Sequence, residues 1–156
     1  MSEFNFKSSV CTSREQSERL LALGLKPETA DMSMCYKTHD LSGKIEPDPE
    51  FLGYLTHPMP CEERQTVLYS RQKFIPAWSL HRLIEMMPKC VRAHSSGDDS
   101  PRLHPYIPKF DYQGVTIENI DEILADFYQH TDLFDNIIDC IEWLIKEGYF
   151  NEEYLT

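Results

Sequence analysis

Residues 132–148, DLFDNIIDCIEWLIKEG, repeat their apolar side chains with the period of an α-helix. Phe134, Ile137, Ile138, Ile141, Leu144 and Ile145 fall on one broad face, and Asp132, Asp135, Asp139 and Glu142 form a stripe opposite. Such a helix must bury its apolar side, so the rest of the chain has to supply a covering layer. Gly148 marks its end. ENIDEILADFYQ, just upstream, reads the same way, with Ile120, Ile123, Leu124 and Phe127 on one side and Glu118, Glu122 and Asp126 away from it. Only His130 and Thr131 separate the two patterns. That predicts an antiparallel helical pair closing the chain, an acidic helical module over 117–150. Tyr149, Phe150, Tyr154 and Leu155 are too apolar for a free tail and should tuck the C-terminus onto the body.

The front of the chain mixes periods. FNFKSSV alternates like a short strand, and CTSREQSERLLALG follows as a helix. Thr12 is the expected N-cap and Glu15 its capping-box partner. Arg14 with Glu18, and Glu15 with Arg19, stand at i,i+4 spacing, and Gly24 is the expected stop. KPETADM restarts a short helix on Pro27. Residues 35–70 read as loop, with SGKIEPDPE turn-like and TVLYS a short strand. IPAWSLHRLIEMMP reads as a helix bounded by Pro76 and Pro88, and HSSGDDSP as a polar turn. RLHPYIPKFDYQGVTI is extended and able to form a hairpin, with Pro105 and Pro108 pushing one arm to a sheet edge. The sum is a single α+β domain over 1–156, a small antiparallel sheet packed with helices. Its expected core is Leu20, Leu21, Leu23, Leu80, Leu83, Ile84, Ile123, Leu124, Phe127, Ile137, Ile141 and Leu144.

Charge narrows the function. The chain has 26 acids and 15 bases, a net of −11. Twelve of those acids but only one base, Lys146, lie in 111–156, so residues 1–110 are neutral overall. A surface of that sign does not displace counterions from a phosphate backbone, which argues against direct nucleic-acid binding. Carboxylates on the outer face of a helix are ordinarily just solvated. A one-signed face also repels itself, and docking to a basic partner surface would recover that energy. Asp132, Asp135, Asp139, Glu142 and Trp143 are the candidate partner-binding residues. Trp143, at the edge of the stripe, is either an anchor for that partner or a packing residue under the extended segment 102–117.

Three Cys/His pairs share a four-residue separation: Cys35 and His39, His57 and Cys61, Cys90 and His94. Thiolates and imidazoles are zinc ligands. However, four residues bring side chains together only on a helix, and HPMPC is broken by its prolines. The expectation is no cofactor, with structural zinc as the alternative. Cys61 stands beside Glu62 and Glu63 with no cation to activate it. No glycine-rich phosphate loop, nucleophile elbow or H-E-x-x-H is present. An enzyme would need an unrecognised site gathering His39, His57, His81 or His94 with acids. Five cysteines without a disulfide framework, no basic-then-apolar leader and no membrane-length apolar run suggest a reduced, cytoplasmic protein with no membrane partner.

SVCTSREQSERLLALGLKPETADM (9–32), FIPAWSLHRLIEMMP (74–88) and DLFDNIIDCIEWLIKEGYF (132–150) together resemble a group of small, uncharacterised proteins carried by prophages and conjugative elements of gut bacteria. The resemblance implies an α+β fold with helices around a small sheet. It implies no activity, and no catalytic or binding residue is carried over with it. The functional expectation is a non-enzymatic accessory protein of a mobile element. It would bind another protein through the acidic C-terminal face, one variant being an inhibitor that imitates DNA phosphates.

Overall fold

A computed structural model describes residues 9–38, 45–54, 72–95 and 102–156. Most of the strand expected at the N-terminus, all of TVLYS, and the polar turn after Ser95 lie outside the described residues. The fold is α+β. It divides into two compact units, Met1–Leu21 with Lys26–Arg82, and Ala22–Leu25 with Leu83–Thr156.

The N-terminal unit is organised around Trp78. Helix α1 runs Arg14–Ala22. Its capping box lies one residue later than the sequence suggests: Ser13 N–H donates to Gln16 Oε1 (2.9 Å) and Gln16 N–H to Ser13 Oγ (3.2 Å). Thr12 is thereby released for the core. It is fully buried, its hydroxyl within 2.7 Å of Ser17 Oγ, and it exchanges bonds with the backbone of Trp78. Arg14 and Glu18 form the expected i,i+4 pair at 2.7 Å. Pro27 opens a 3₁₀ turn, Pro27–Thr29, and Thr29 Oγ1 accepts the Trp78 indole N–H at 3.0 Å.

Beyond it, β1 (Met32–Thr38), β2 (Ile45–Tyr54) and β3 (Gln72–Ala77) form an antiparallel sheet in the order β2-β1-β3. The turn-like reading of IEPDPE is corrected, because it is the first half of β2. An edge strand tolerates Pro47 and Pro49, since it has one side without a ladder to satisfy. The helix expected between Pro76 and Pro88 is also shorter. Ile75, Pro76 and Ala77 end β3, and α2 spans Leu80–Met86. Ser79 sets that start: its Oγ accepts from Arg82 N (3.1 Å), while Asp31 binds its hydroxyl and its N–H.

The C-terminal unit is one sheet and one long helix. Strands β4 (Val91–Ala93), β5 (His104–Phe110), β6 (Val115–Glu118) and β7 (Ile123–Phe127) are antiparallel neighbours in that order. The hairpin of 102–117 forms as β5–β6, turning over 111–114, where Asp111 N–H donates to Gly114 O. β5 is not an edge strand, which corrects the reading of its prolines. Ladder alternation from the Asp111–Gly114 bond turns the Pro108 nitrogen toward β4, past Val91, where β4 begins. The same alternation turns the Pro105 nitrogen toward β6, past its last residue, Glu118. Each missing donor faces a place where the neighbouring strand has run out.

Helix α3 (Leu133–Lys146) matches its sequence pattern. Asp132 caps it by accepting from Phe134 N (2.9 Å). Gly148 at φ 73° closes it, with Tyr149 N–H on Leu144 O and Gly148 N–H on Ile145 O in a Schellman arrangement. Ile137, Ile138, Cys140, Ile141 and Leu144 are fully buried on the side that packs against β6 and β7.

The expected partner helix does not exist, because 123–127 is strand β7. Asn119 starts the change. Its side chain accepts from the N–H groups of Asp121 (2.8 Å) and Glu122 (2.9 Å), and its own N–H donates to Glu122 O. Those local bonds replace helical ones and turn the chain back along β6. Ala125 and Phe127 then pair with Ile117 and Val115. Phe150 is buried, Leu155 bridges to Leu25, and Thr156 N–H donates to Gly24 O at 2.8 Å, so the C-terminus tucks in as expected. Among the described residues no helix is long and apolar enough to cross a membrane.

Candidate functional site

The acidic stripe of α3 survives the loss of its partner helix. Asp132 is exposed; Asp135, Asp139 and Glu142 are half-buried along the helix. Each sits in local chemistry. Asp132 caps the first turn, where Asp135 also meets the positive end of the helix dipole. Asp139 Oδ2 lies 2.9 Å from His130 Nε2, and Glu142 holds Lys146 at 2.7 Å. Both of these contacts come from residues close to the stripe in sequence.

Trp143 packs against Phe127 of β7 and Tyr149 just beyond the helix. Its ring lies 6.0 Å from Phe127 and 5.6 Å from Tyr149, centroid to centroid. All three rings are half-exposed, so they form an aromatic rim where α3 meets β7.

The strands and turns of the sheet also carry carboxylates. Lys109 pairs with Glu118 across β5 and β6, and that contact holds the Glu118 carboxyl below the usual carboxylate range. Asp111 is held low as well, first by the N–H groups of Gln113 and Gly114 and further by the Tyr128 hydroxyl. Glu122 accepts from the hydroxyl of fully buried Tyr106, whose ionisation is pushed up to about 12, chiefly by burial and then by that carboxylate. Three isoleucines of this unit stand out: Ile107 is 47% exposed, Ile123 56% and Ile120 98%. Ile123 therefore leaves the expected core, whereas Leu20, Leu83, Ile137, Ile141 and Leu144 occupy it.

A polar cleft of about 340 Å³ lies at the β7–α3 junction, lined by Gln113, Tyr128, Gln129, His130 and Thr131. Below it, fully buried Asn136 clamps the junction. Its Oδ1 accepts from His130 N, and its Nδ2 donates to His130 O and Gln113 O. The His130–Asp139 pair at the rim has the form of an oriented acid–base group. Sequence reasoning missed this cluster. His130 looked like a two-residue connector, and nothing in its neighbours announces a partner nine positions ahead.

The proposed metal ligands do not assemble among the described residues, where no group of three or more His, Cys, Asp or Glu could hold an ion. Cys35 belongs to β1, and His39, His57 and Cys61 lie outside the described residues. Cys90 and His94 flank β4 and are both exposed. Extended backbone separates their Cα atoms by about 13 Å, too far for a local pair to close on one ion. Cys11 and Cys140 are buried free thiols, and burial pushes Cys140 up to about 12. Neither is a nucleophile in that environment. His81 is exposed on α2. No family model, no curated protein and no solved structure matches the chain.

Proposed function

We propose that this chain is a non-enzymatic, cytoplasmic accessory protein of a mobile element that binds a partner protein with a basic surface through its acidic C-terminal unit. The observation that supports the reading is where the charge lies. Residues 22–25 and 83–156 together hold fifteen acids and five bases, a net of −10 against −11 for the whole chain. A protein that needed charge only for solubility would have no reason to gather it on one unit. The placement of the acids fits as well. Asp132, Asp135, Asp139 and Glu142 run along one side of α3, the first exposed and the others half-buried, with Trp143 on the flank. Electrostatic complementarity of this kind speeds encounter and selects the partner's sign. One form of the reading is an inhibitor whose carboxylates stand in for DNA phosphates.

The test compares the native chain with an Asp135→Asn, Asp139→Asn, Glu142→Gln variant in a pull-down from host lysate at low and at moderate salt. The expected result is a basic protein retained by the native chain at low salt and lost by the variant. A partner held equally by both rejects the acidic stripe as the binding surface. Competition by duplex DNA for the captured protein separates the DNA-mimic form from other docking. Elemental analysis of protein purified without added metal tests the zinc alternative, with a stoichiometric ion required to support it.

A further inference from the structure

We propose that the open edge of β7 docks an extended, lysine- or arginine-rich segment of the partner, which pairs with β7 as a fifth strand of the sheet. This rests on the acidic-surface reading and names the part of that surface that makes the specific contact. β7 is the last strand in the order β4-β5-β6-β7. Lys109 and Thr116 form a hydrogen-bonded pair two residues along from the Asp111–Gly114 bond, so Val115 and Ile117 face β7. Their partners Phe127 and Ala125 therefore turn their amides to β6, and Asp126, between them, turns its N–H and C=O outward. Among the described residues no backbone group takes up that outward side.

What flanks the edge selects the occupant. A strand laid there sends alternate side chains to the two faces of the sheet. On the helix side they meet the half-exposed rim of Phe127, Trp143 and Tyr149. On the other side they meet exposed Ile123 and Asp126. Unoccupied strand backbone is a template on which another strand can pair. The charge around it is one-signed: Asp121, Glu122 and Asp126 belong to the β6–β7 hairpin, and Glu118 has Lys109. The register break at Leu124 and the Asp126 carboxylate discourage pairing with a second acidic copy of this chain. A cationic strand meets the same carboxylate as a partner.

The experiment titrates the full-length ¹⁵N-labelled chain with a synthetic peptide of alternating valine and lysine, about eight residues long, at low salt. Two further peptides carry backbone N-methyl groups on alternate residues, one on the valines and one on the lysines. Strand addition predicts amide shifts centred on Asp126 and a more than tenfold loss of affinity for one methylated peptide but not the other. Asp126→Lys, an exposed substitution, should weaken the unmethylated peptide by a similar factor. If both methylated peptides bind as well as the parent, or if none binds, strand docking is overturned. The acidic-surface reading is decided separately by the pull-down. Concentration-dependent dimerisation through β7 without peptide would also overturn the proposal, because it would assign the edge to a second copy.

Discussion

Asn136 shows how much one side chain decides in this fold. A helix rarely buries an asparagine, because its amide has four hydrogen-bonding sites to satisfy. Here three of them are used at once, on His130 N, His130 O and Gln113 O, at 2.7–2.9 Å. The amide thereby fixes the β7–α3 connection to the β5–β6 turn, which positions His130 beside Asp139. Removing it deletes three hydrogen bonds at once and leaves the His130 and Gln113 backbone groups at this half-buried junction without those partners. Asn136→Ala should destabilise the chain by about 2–3 kcal/mol in urea unfolding. A loss below about 0.5 kcal/mol would mean that the amide only fills space. Nothing in DNIID marks this asparagine as buried except its place. Its position falls between Cys140 and Trp143 on the helix, at the edge of the apolar face, where helical periodicity alone assigns polar residues to solvent.

Among the elements, α3 was legible because fourteen residues of consistent period leave no competing assignment. ENIDEILADFYQ was not, because its apolar residues fit a helix only if Ile120 is buried, and Ile120 is 98% exposed. Short apolar runs satisfy both periods, and a strand wins where a neighbour offers a ladder. β6 does so with fully buried Val115 and Ile117. The same competition shortened the helix at Pro76, since β3 claims Ile75–Ala77 as partners of β1. In the candidate site, the carboxylates of α3 could be read from spacing, whereas the open edge of β7 and the aromatic rim could not, because both depend on that strand. Gly114 tests the pairing. A Cβ there would stand 2.1 Å from Phe127 O and 2.8 Å from the Tyr128 ring. A backbone carbonyl cannot yield without moving β7, so Gly114→Ala should cost about 3 kcal/mol or more, read by loss of the near-ultraviolet aromatic signal. A variant as stable as the native chain would place 123–127 elsewhere.

The molecule as a whole is interleaved. The C-terminal unit is built from 83–156 but also takes Ala22–Leu25 from between two parts of the other unit. Leu25 is 1% exposed and bridges Leu155, and Thr156 donates to Gly24 O. A fragment beginning at Leu83 therefore lacks a core leucine of its own unit. Each unit has one tryptophan, Trp78 and Trp143, so their unfolding can be followed separately by labelling both with 5-fluorotryptophan and recording ¹⁹F spectra through a urea titration. Leu25→Ala removes a buried leucine and should lower stability by about 2–5 kcal/mol. The loss belongs to the C-terminal unit, so the Trp143 resonance should leave its native position at lower urea than Trp78. Met32→Ala, in β1 of the other unit, should reverse that order. If Leu25→Ala instead moves the Trp78 transition first, the leucine serves the N-terminal unit. If both resonances shift together in both variants, the two units unfold as one cooperative body, and the neutral front of the chain contributes to the stability that the acidic surface depends on.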